Sequence, residues 1–261
     1  MDRKWGQHFL IDKNIARKII RAANLEPGDT VLEIGPGRGV LTEEILSHQA
    51  KVIAVEIDNQ LVQKLKQKFK NYIEENKLKV IACDFLKLDL AKFFAPYPVL
   101  KIVANIPYYI TGRILRKIYN FKNWKRAVLL LQKEVAQRLK ATPGTKEYGI
   151  LSVATQVYTR VEIVGFASPK VFRPQPKVTS AIVRLERLPE PLIKPEEEKG
   201  FFHLLHIAFG QRRKILINNL SRSLNCSKVK LEKIFASSGL GANIRAENLS
   251  IADFVKLNRF L

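Results

Sequence analysis

The chain has 261 residues, 46% of them hydrophobic, and only two cysteines. That length allows one large core with a smaller attached unit, and Cys83 and Cys226 stand too far apart in sequence to suggest a metal-ligand pair, so they read as free thiols and no metal is expected. A formal net charge of +21 repels itself unless a polyanion is bound, which makes nucleic acid the leading partner, ahead of an anionic membrane, because no strongly amphipathic terminal helix accompanies the charge.

The opening MDRKWGQHFLIDKN is too polar for a secretory segment, and apolar runs such as Ala127 to Leu131 are too short to span a bilayer. A soluble, cytoplasmic protein with no membrane partner is expected. Five short apolar runs then read as buried strands: Thr30 to Ile34, Lys51 to Val55, Leu78 to Ala82, Val99 to Val103 and Arg126 to Leu131. Helical spacing separates several of them, as in Asn59 to Tyr72, where Leu61, Val62, Leu65 and Phe69 share one face. Such alternation predicts βαβ units and a parallel sheet covered on both sides. Two β-rich stretches, Ser152 to Phe166 and Val178 to Leu188, have no clear helix between them and predict an antiparallel finish to the sheet. The Pro- and acid-rich segment 188–200 reads as a linker, and 201–261 as helices without a strand. The expected organisation is a catalytic domain over 1–187, the linker, and a small helical domain over 201–261.

The strand ends carry the chemistry. LEIGPGRGVLT places Gly35, Gly37 and Gly39 between a strand and a helix, where glycine permits a sharp turn and close approach of a ligand. Val40 stands where the dinucleotide fingerprint has its third glycine, and no Gly-Lys-Ser/Thr follows, which weakens the NAD and P-loop readings. The second strand ends at Glu56, placed to accept from a ribose diol; the third ends at Asp84, which can accept from an adenine amine, with Phe85 beside it. A glycine loop and two acids on consecutive strand ends resemble the class I S-adenosylmethionine-dependent methyltransferase fold, a Rossmann-like α/β sheet.

The fourth strand ends in Asn105-Ile106-Pro107-Tyr108. An exocyclic amine is a poor nucleophile because its lone pair is delocalised into the base. Held by the Asn105 side-chain carbonyl and the Ile106 backbone carbonyl, it can tilt towards tetrahedral geometry and aim that lone pair. Pro107 stiffens the turn and removes a competing N–H, and Tyr108 offers a ring for stacking. Because the sulfonium donor is already activated, orientation worth about 7–11 kcal/mol can replace a strong base, a metal or a covalent nucleophile.

Asn-Ile-Pro-Tyr is similar to the motif of amino-group methyltransferases in its rRNA adenine form; DNA adenine enzymes usually carry a second Pro where Ile106 stands. With GQHFLID (6–12), LQKEVAQRL (131–139), YGILSV (148–153), VFRPQPKVTSAIVRL (171–185) and QRRKILINNL (211–220), nearly the whole chain resembles the KsgA family. These enzymes dimethylate two adjacent adenines near the 3′ end of small-subunit (16S) rRNA, using S-adenosyl-L-methionine and releasing S-adenosyl-L-homocysteine.

The resemblance implies that Gln7, His8 and Leu10 clamp the cofactor, that Gly35 and Gly37 line its methionine end, and that Glu56 takes the ribose and Asp84 with Phe85 the adenine. It further implies that Asn105 faces both cofactor and target base, that Tyr108 stacks on the base, and that Phe172 covers its opposite face. Two positions depart from the family pattern: His8 replaces a common Asn, and Tyr109 replaces an Asn often found after the first Tyr. Extruding a base costs a few kcal/mol, about what stacking returns, so affinity must come from phosphate contacts. Arg212, Arg213 and Lys214, expected on a helix, are the candidates. The resemblance also implies a monomer bound to a ribosome assembly intermediate. Two other readings stand beside it: an assembly factor acting mainly by binding, and a large-subunit rRNA dimethyltransferase of the macrolide-resistance type.

Overall fold

The computed structural model describes residues 7–212 and 214–261. In chain order its elements are β1 (Phe9–Leu10), α1 (Lys13–Ala23), β2 (Thr30–Ile34), α2 (Val40–Ser47), β3 (Lys51–Glu56), α3 (Asn59–Lys68), α4 (Lys70–Glu74), β4 (Leu78–Ala82), α5 (Leu90–Phe94) and β5 (Leu100–Asn105). A 3₁₀ turn (Tyr108–Ile110) leads into α6 (Thr111–Asn120), followed by β6 (Trp124–Gln132), α7 (Lys133–Lys140), α8 (Ile150–Gln156), β7 (Thr159–Ala167), β8 (Phe172–Arg173) and β9 (Ser180–Arg187). The last four helices are α9 (Glu198–Gly210), α10 (Leu216–Leu224), α11 (Lys228–Ser237) and α12 (Ile251–Phe260).

The chain divides into two compact units, one holding the residues up to Ala136 with Val161–Arg187, the other Gln137–Arg160 with Leu188–Leu261. The expected boundary near 188 is one of the divisions. Residues 137–160, read from sequence as part of the first domain, group with the C-terminal helices instead. Part of that stretch also differs in type: Ser152 to Gln156, expected in a strand, is helical. The Ser152 hydroxyl donates to the Arg138 carbonyl (2.6 Å) and the Thr155 hydroxyl to the Leu151 carbonyl (2.7 Å), so side chains common in strands are used here to bond helix backbone.

In the first unit seven strands lie in the order β4-β3-β2-β5-β6-β9-β7. β4, β3, β2, β5 and β6 pair in parallel, and β9 runs antiparallel to β6. All five residues of β2 are buried, as a central strand covered on both faces requires. Asp12 caps α1 and Asp58 caps α3, each accepting from two backbone N–H groups of the first turn. The core joins Ile19, Ile20, Val31, Ile45, Val52, Val103, Val128 and Leu130, each shielded from water and each contributing about 1.5–3 kcal/mol by burial. The linker is shorter than expected: a 3₁₀ turn over Pro195–Glu197 runs into α9, whose first residue is Glu198. In the second unit α9 packs against α8, α10 and α12, and the Tyr148 hydroxyl donates to the Leu249 carbonyl (2.8 Å). No helix among the described residues is long and apolar enough to cross a membrane.

One buried acid on β2 stands apart. Glu33 is fully shielded; its Oε2 accepts from the Thr42 hydroxyl (2.7 Å), and its Oε1 has no hydrogen-bond partner. Burial, reinforced by the nearby Glu56 charge, pushes its carboxyl up to about 8, against the Thr42 hydrogen bond. Below its ordinary value of 4.5 both folded and unfolded chains hold the proton; between 4.5 and about 8 only the folded chain does, so stability falls as pH rises through that window and then levels off. Glu33→Gln removes this dependence. Thermal melts of parent and variant from pH 5 to about 9 should diverge progressively in favour of the variant, and parallel curves would refute the assignment.

Candidate active site

The strand order reverses between β2 and β5, so the connections leaving their carboxyl ends part and open a crevice. A cavity there is walled by the ends of β2, β3 and β5, the turn after β4, and the N-terminal residues Gln7 to Leu10. Every residue assigned to the cofactor from sequence lines it: Gln7, His8, Leu10, Gly35, Gly37, Glu56, Asp84, Phe85 and Asn105. So do Ile106, Pro107 and Tyr108.

The glycine turn divides its labour. Gly35 has φ +67°, and a Cβ built there would meet nothing, which leaves that wall open to a ligand. Gly37, at φ +58°, is covered by Phe9, whose ring would lie 2.9 Å from a Cβ. The Arg38 guanidinium in turn sits 5.0 Å from the Phe9 centroid. Phe9 and Arg38 therefore close the turn from above. Sequence reading passed over both, since a two-residue strand gives no periodicity to detect.

Glu56 is nearly fully buried at the end of β3. Its Oε1 accepts from the backbone N–H groups of Ile57 (2.9 Å) and Asp58 (3.0 Å), and its Oε2 from that of Gly37 (3.0 Å). A carboxylate oxygen has room for about two donors. Oε2 therefore keeps one acceptor site for a ribose hydroxyl. Burial raises the Glu56 carboxyl above its ordinary value, and the three N–H donors work against that shift. Asp84 accepts from Leu86 N–H through Oδ1 (2.9 Å), while its other oxygen has no partner among the described residues. The buried Phe85 ring lies beside it, with the Lys117 ammonium 5.8 Å from the centroid. An open glycine wall, a ribose acceptor, an adenine acceptor and an apolar ring fit an S-adenosyl cofactor.

At the end of β5, Asn105 donates through Nδ2 to the His8 backbone carbonyl (2.8 Å). That bond leaves the side-chain carbonyl as the free end of the amide. No described group donates to the Ile106 carbonyl, although Ile106 N–H bonds the Leu130 carbonyl (3.2 Å). Two acceptors are thus available next to each other. The Tyr108 hydroxyl is paired with Ser180 Oγ (2.7 Å), and its ring stacks on His8 with centroids 5.7 Å apart. Burial raises the Tyr108 hydroxyl above its ordinary value despite the Ser180 bond, so it stays a neutral phenol. His8 in turn donates from Nδ1 to the Pro174 carbonyl (2.7 Å).

Two expectations need correction. Phe172 is not among the residues that line the cavity: β8 pairs antiparallel with β1, Phe172 opposite Leu10, and the ring is packed in the core with no surface exposed. Arg212 is not on a helix; it lies in the turn between α9 and α10. Its guanidinium is already committed, with Nε to Glu247 Oε2 (2.7 Å), Nη1 to the Lys146 carbonyl (2.5 Å) and Nη2 to the Thr145 carbonyl (2.9 Å). Lys214 is exposed in the same connection, and Arg213 lies outside the described residues.

Comparison with known proteins gives a consistent result. The model of the ribosomal RNA adenine dimethylase family matches residues 1–261. Ribosomal RNA small subunit methyltransferase A of Clostridium botulinum (strain Kyoto / Type A2) is 40% identical over 258 residues, 98% of this chain and 92% of the relative. The protein of the same name from Alkaliphilus oremlandii (strain OhILAs) is 43% identical over 254 residues, 95% of this chain and 88% of the relative. Among solved structures, a dimethyladenosine transferase from Plasmodium falciparum superposes with a TM-score of 0.79 at 29% identity, covering 96% of each chain. The 23S rRNA methyltransferase ErmE gives 0.73 at 26% identity, covering 97% of this chain and 99% of its own. With a cavity fitted to an adenosyl group and a family match along its whole length, the chain belongs to the ribosomal RNA adenine dimethylases, methyltransferases that use S-adenosylmethionine.

Proposed function

We propose that the enzyme transfers methyl groups to the N6 amine of two adjacent adenines near the 3′ end of small-subunit rRNA, within a ribosome assembly intermediate. The observation that carries the chemistry is the pair of free acceptors at the end of β5. Asn105 is anchored through Nδ2 to His8, which frees its side-chain carbonyl, and the backbone carbonyl of the next residue, Ile106, has no donor among the described residues. Together they accept both protons of one exocyclic amine, draw it out of the plane of its ring and leave its lone pair directed into the cavity. The bound cofactor supplies an activated methyl group and leaves as S-adenosylhomocysteine. Pro107 and the 3₁₀ turn hold Tyr108 as the stacking surface, with His8 and Ser180 keeping its ring in place. Glu56 and Asp84 are engaged in binding, so the proton lost by the amine passes to water.

Small-subunit rRNA is favoured over large-subunit rRNA by the identity of about 40% to proteins named for the small subunit, against 26% to ErmE. The QRRKILINNL segment of the helical unit points the same way. The enzyme acts as a monomer in the cytoplasm. In the helical unit Lys214, and Arg213 beside it in sequence, contact RNA phosphates, whereas Arg212 is taken up by Glu247 and the Thr145 and Lys146 carbonyls.

Asn105→Ala should lower kcat by roughly 10²–10³-fold, as loss of one preorganised transition-state contact does elsewhere, while S-adenosylmethionine affinity measured by calorimetry changes little. Turnover at the parental rate on undermethylated small subunits would sink the role given to Asn105. In the helical unit the two basic residues should behave oppositely. Arg212→Ala should cost about 1–3 kcal/mol of stability in urea melts through its lost charged hydrogen bonds. Lys214→Glu should leave the melt unchanged and weaken RNA binding; a Lys214→Glu chain that binds as tightly as the parent removes that contact.

A further inference from the structure

Tyr109, on the 3₁₀ turn at the cavity rim, is 63% exposed, and its side chain makes no hydrogen bond or ring contact among the described residues. One exposed ring needs no explanation by itself, but this one stands at the rim of the cavity, where a flat ligand can cover it. Its backbone is nevertheless held: Ile110 N–H bonds the Pro107 carbonyl (3.2 Å), and the Thr111 hydroxyl reaches the Pro107 (3.4 Å) and Tyr108 (3.2 Å) carbonyls. The ring is presented from a fixed base with one side open.

The surface beyond Tyr109 is equally specific. α6 buries Thr111, Ile114, Leu115, Ile118 and Tyr119, so the opposite face carries Gly112, Arg113 and Arg116. Arg113 and Arg116 stand at i and i+3 on this face of α6, and Tyr109 lies on the 3₁₀ turn that leads into the helix. Neither arginine has an ion-pair partner among the described residues, and the chain contains no acid between Asp89 and Glu134. Gly112 adds no bulk between them, and the space above it is open. An aromatic ring followed by two unpaired guanidinium groups therefore leads away from the place where the target base enters.

We propose that this strip binds the single-stranded RNA next to the extruded adenine: Tyr109 stacks on the flanking base, and Arg113 and Arg116 neutralise the phosphates beyond it. Every base offers a π-face, and guanidinium groups match phosphate oxygens, so the strip grips a strand without reading its sequence. Its continuity with the cavity explains how two neighbouring adenines are served in turn: the base waiting outside is held on Tyr109 while the other is in the pocket. The inference rests on the functional reading above, and its test separates the two.

The test uses the full chain and a labelled single-stranded oligoribonucleotide containing two adjacent adenines, with anisotropy measured from about 50 to 200 mM salt. Arg113→Ala with Arg116→Ala should flatten the logarithmic salt slope by about 1.4, roughly 0.7 per lost contact on single strands, and leave S-adenosylmethionine affinity at the parental value. Tyr109→Ala should bind about tenfold more weakly, the scale of one lost base stack, and Tyr109→Phe should bind like the parent because stacking needs the ring alone. An unchanged slope in the arginine pair, or parental affinity in Tyr109→Ala, overturns the strip. A loss seen only with assembled subunits and not with the oligoribonucleotide assigns the face to a protein partner and overturns it as well. If the parental chain transfers no methyl group to adenine in small-subunit rRNA, it is the functional reading that fails; normal transfer with unaltered binding by the variants defeats only the strip.

Discussion

The reversal of strand order between β2 and β5 governs the rest of the molecule. At that point the helices after the two strands lie on opposite faces of the sheet, and no backbone crosses the gap above their carboxyl ends. The gap must be walled by side chains and turns. Here the glycine turn after β2, Glu56 at the end of β3, Asp84 after β4 and Asn105 at the end of β5 supply those walls. Gly35, Glu56 and Asn105 end or follow buried strands, and Asp84 follows the edge strand β4, held by its ladder to β3, which is why short polar side chains can be placed closely enough to grip a nucleoside.

A second layer closes this arrangement from a distance in sequence. β1 pairs with β8, and His8 bonds Pro174 while its own carbonyl receives the Asn105 amide. Three segments separated by tens of residues are thereby tied at one point. The Phe-x-Pro-x-Pro stretch acts here as the far side of that tie: Phe172 is packed into the core, and the neighbouring Pro174 carbonyl holds the histidine that stacks on Tyr108. The N-terminal segment thus holds the Asn105 amide as well as lining the cavity.

The positive charge is not uniform in purpose. Arg212 and the exposed Arg38 have protein partners for their guanidinium groups, Glu247 and a loop for the first and the ring that covers the glycine turn for the second. Arg113 and Arg116 have none among the described residues, and both are exposed. A count of basic residues identifies the kind of partner, since phosphate attraction depends on total charge, but it cannot separate cations that hold the protein together from those that meet the ligand.

The alternation of apolar runs and helical spacing was enough to read the parallel sheet and its covering helices, because burial on both faces imposes a local pattern. The strand-end motifs were legible for the same reason: Gly35, Glu56, Asp84 and Asn105 each follow a recognisable strand, and the fold brings such ends together. Ser152 to Gln156 is a helix although its β-branched residues also suit a strand, and there Ser152 bonds the Arg138 carbonyl of the neighbouring helix α7, a partner that local pattern does not reveal. The burial of Phe172 was decided by core residues from distant segments, and the fate of Arg212 by three acceptors on other segments. Sequence by itself determined which residues stand at the ends of strands, since that follows from local hydrophobic pattern. Tertiary structure alone decided which side chains remain free to meet a ligand, because a side chain's partners come from wherever the fold delivers them.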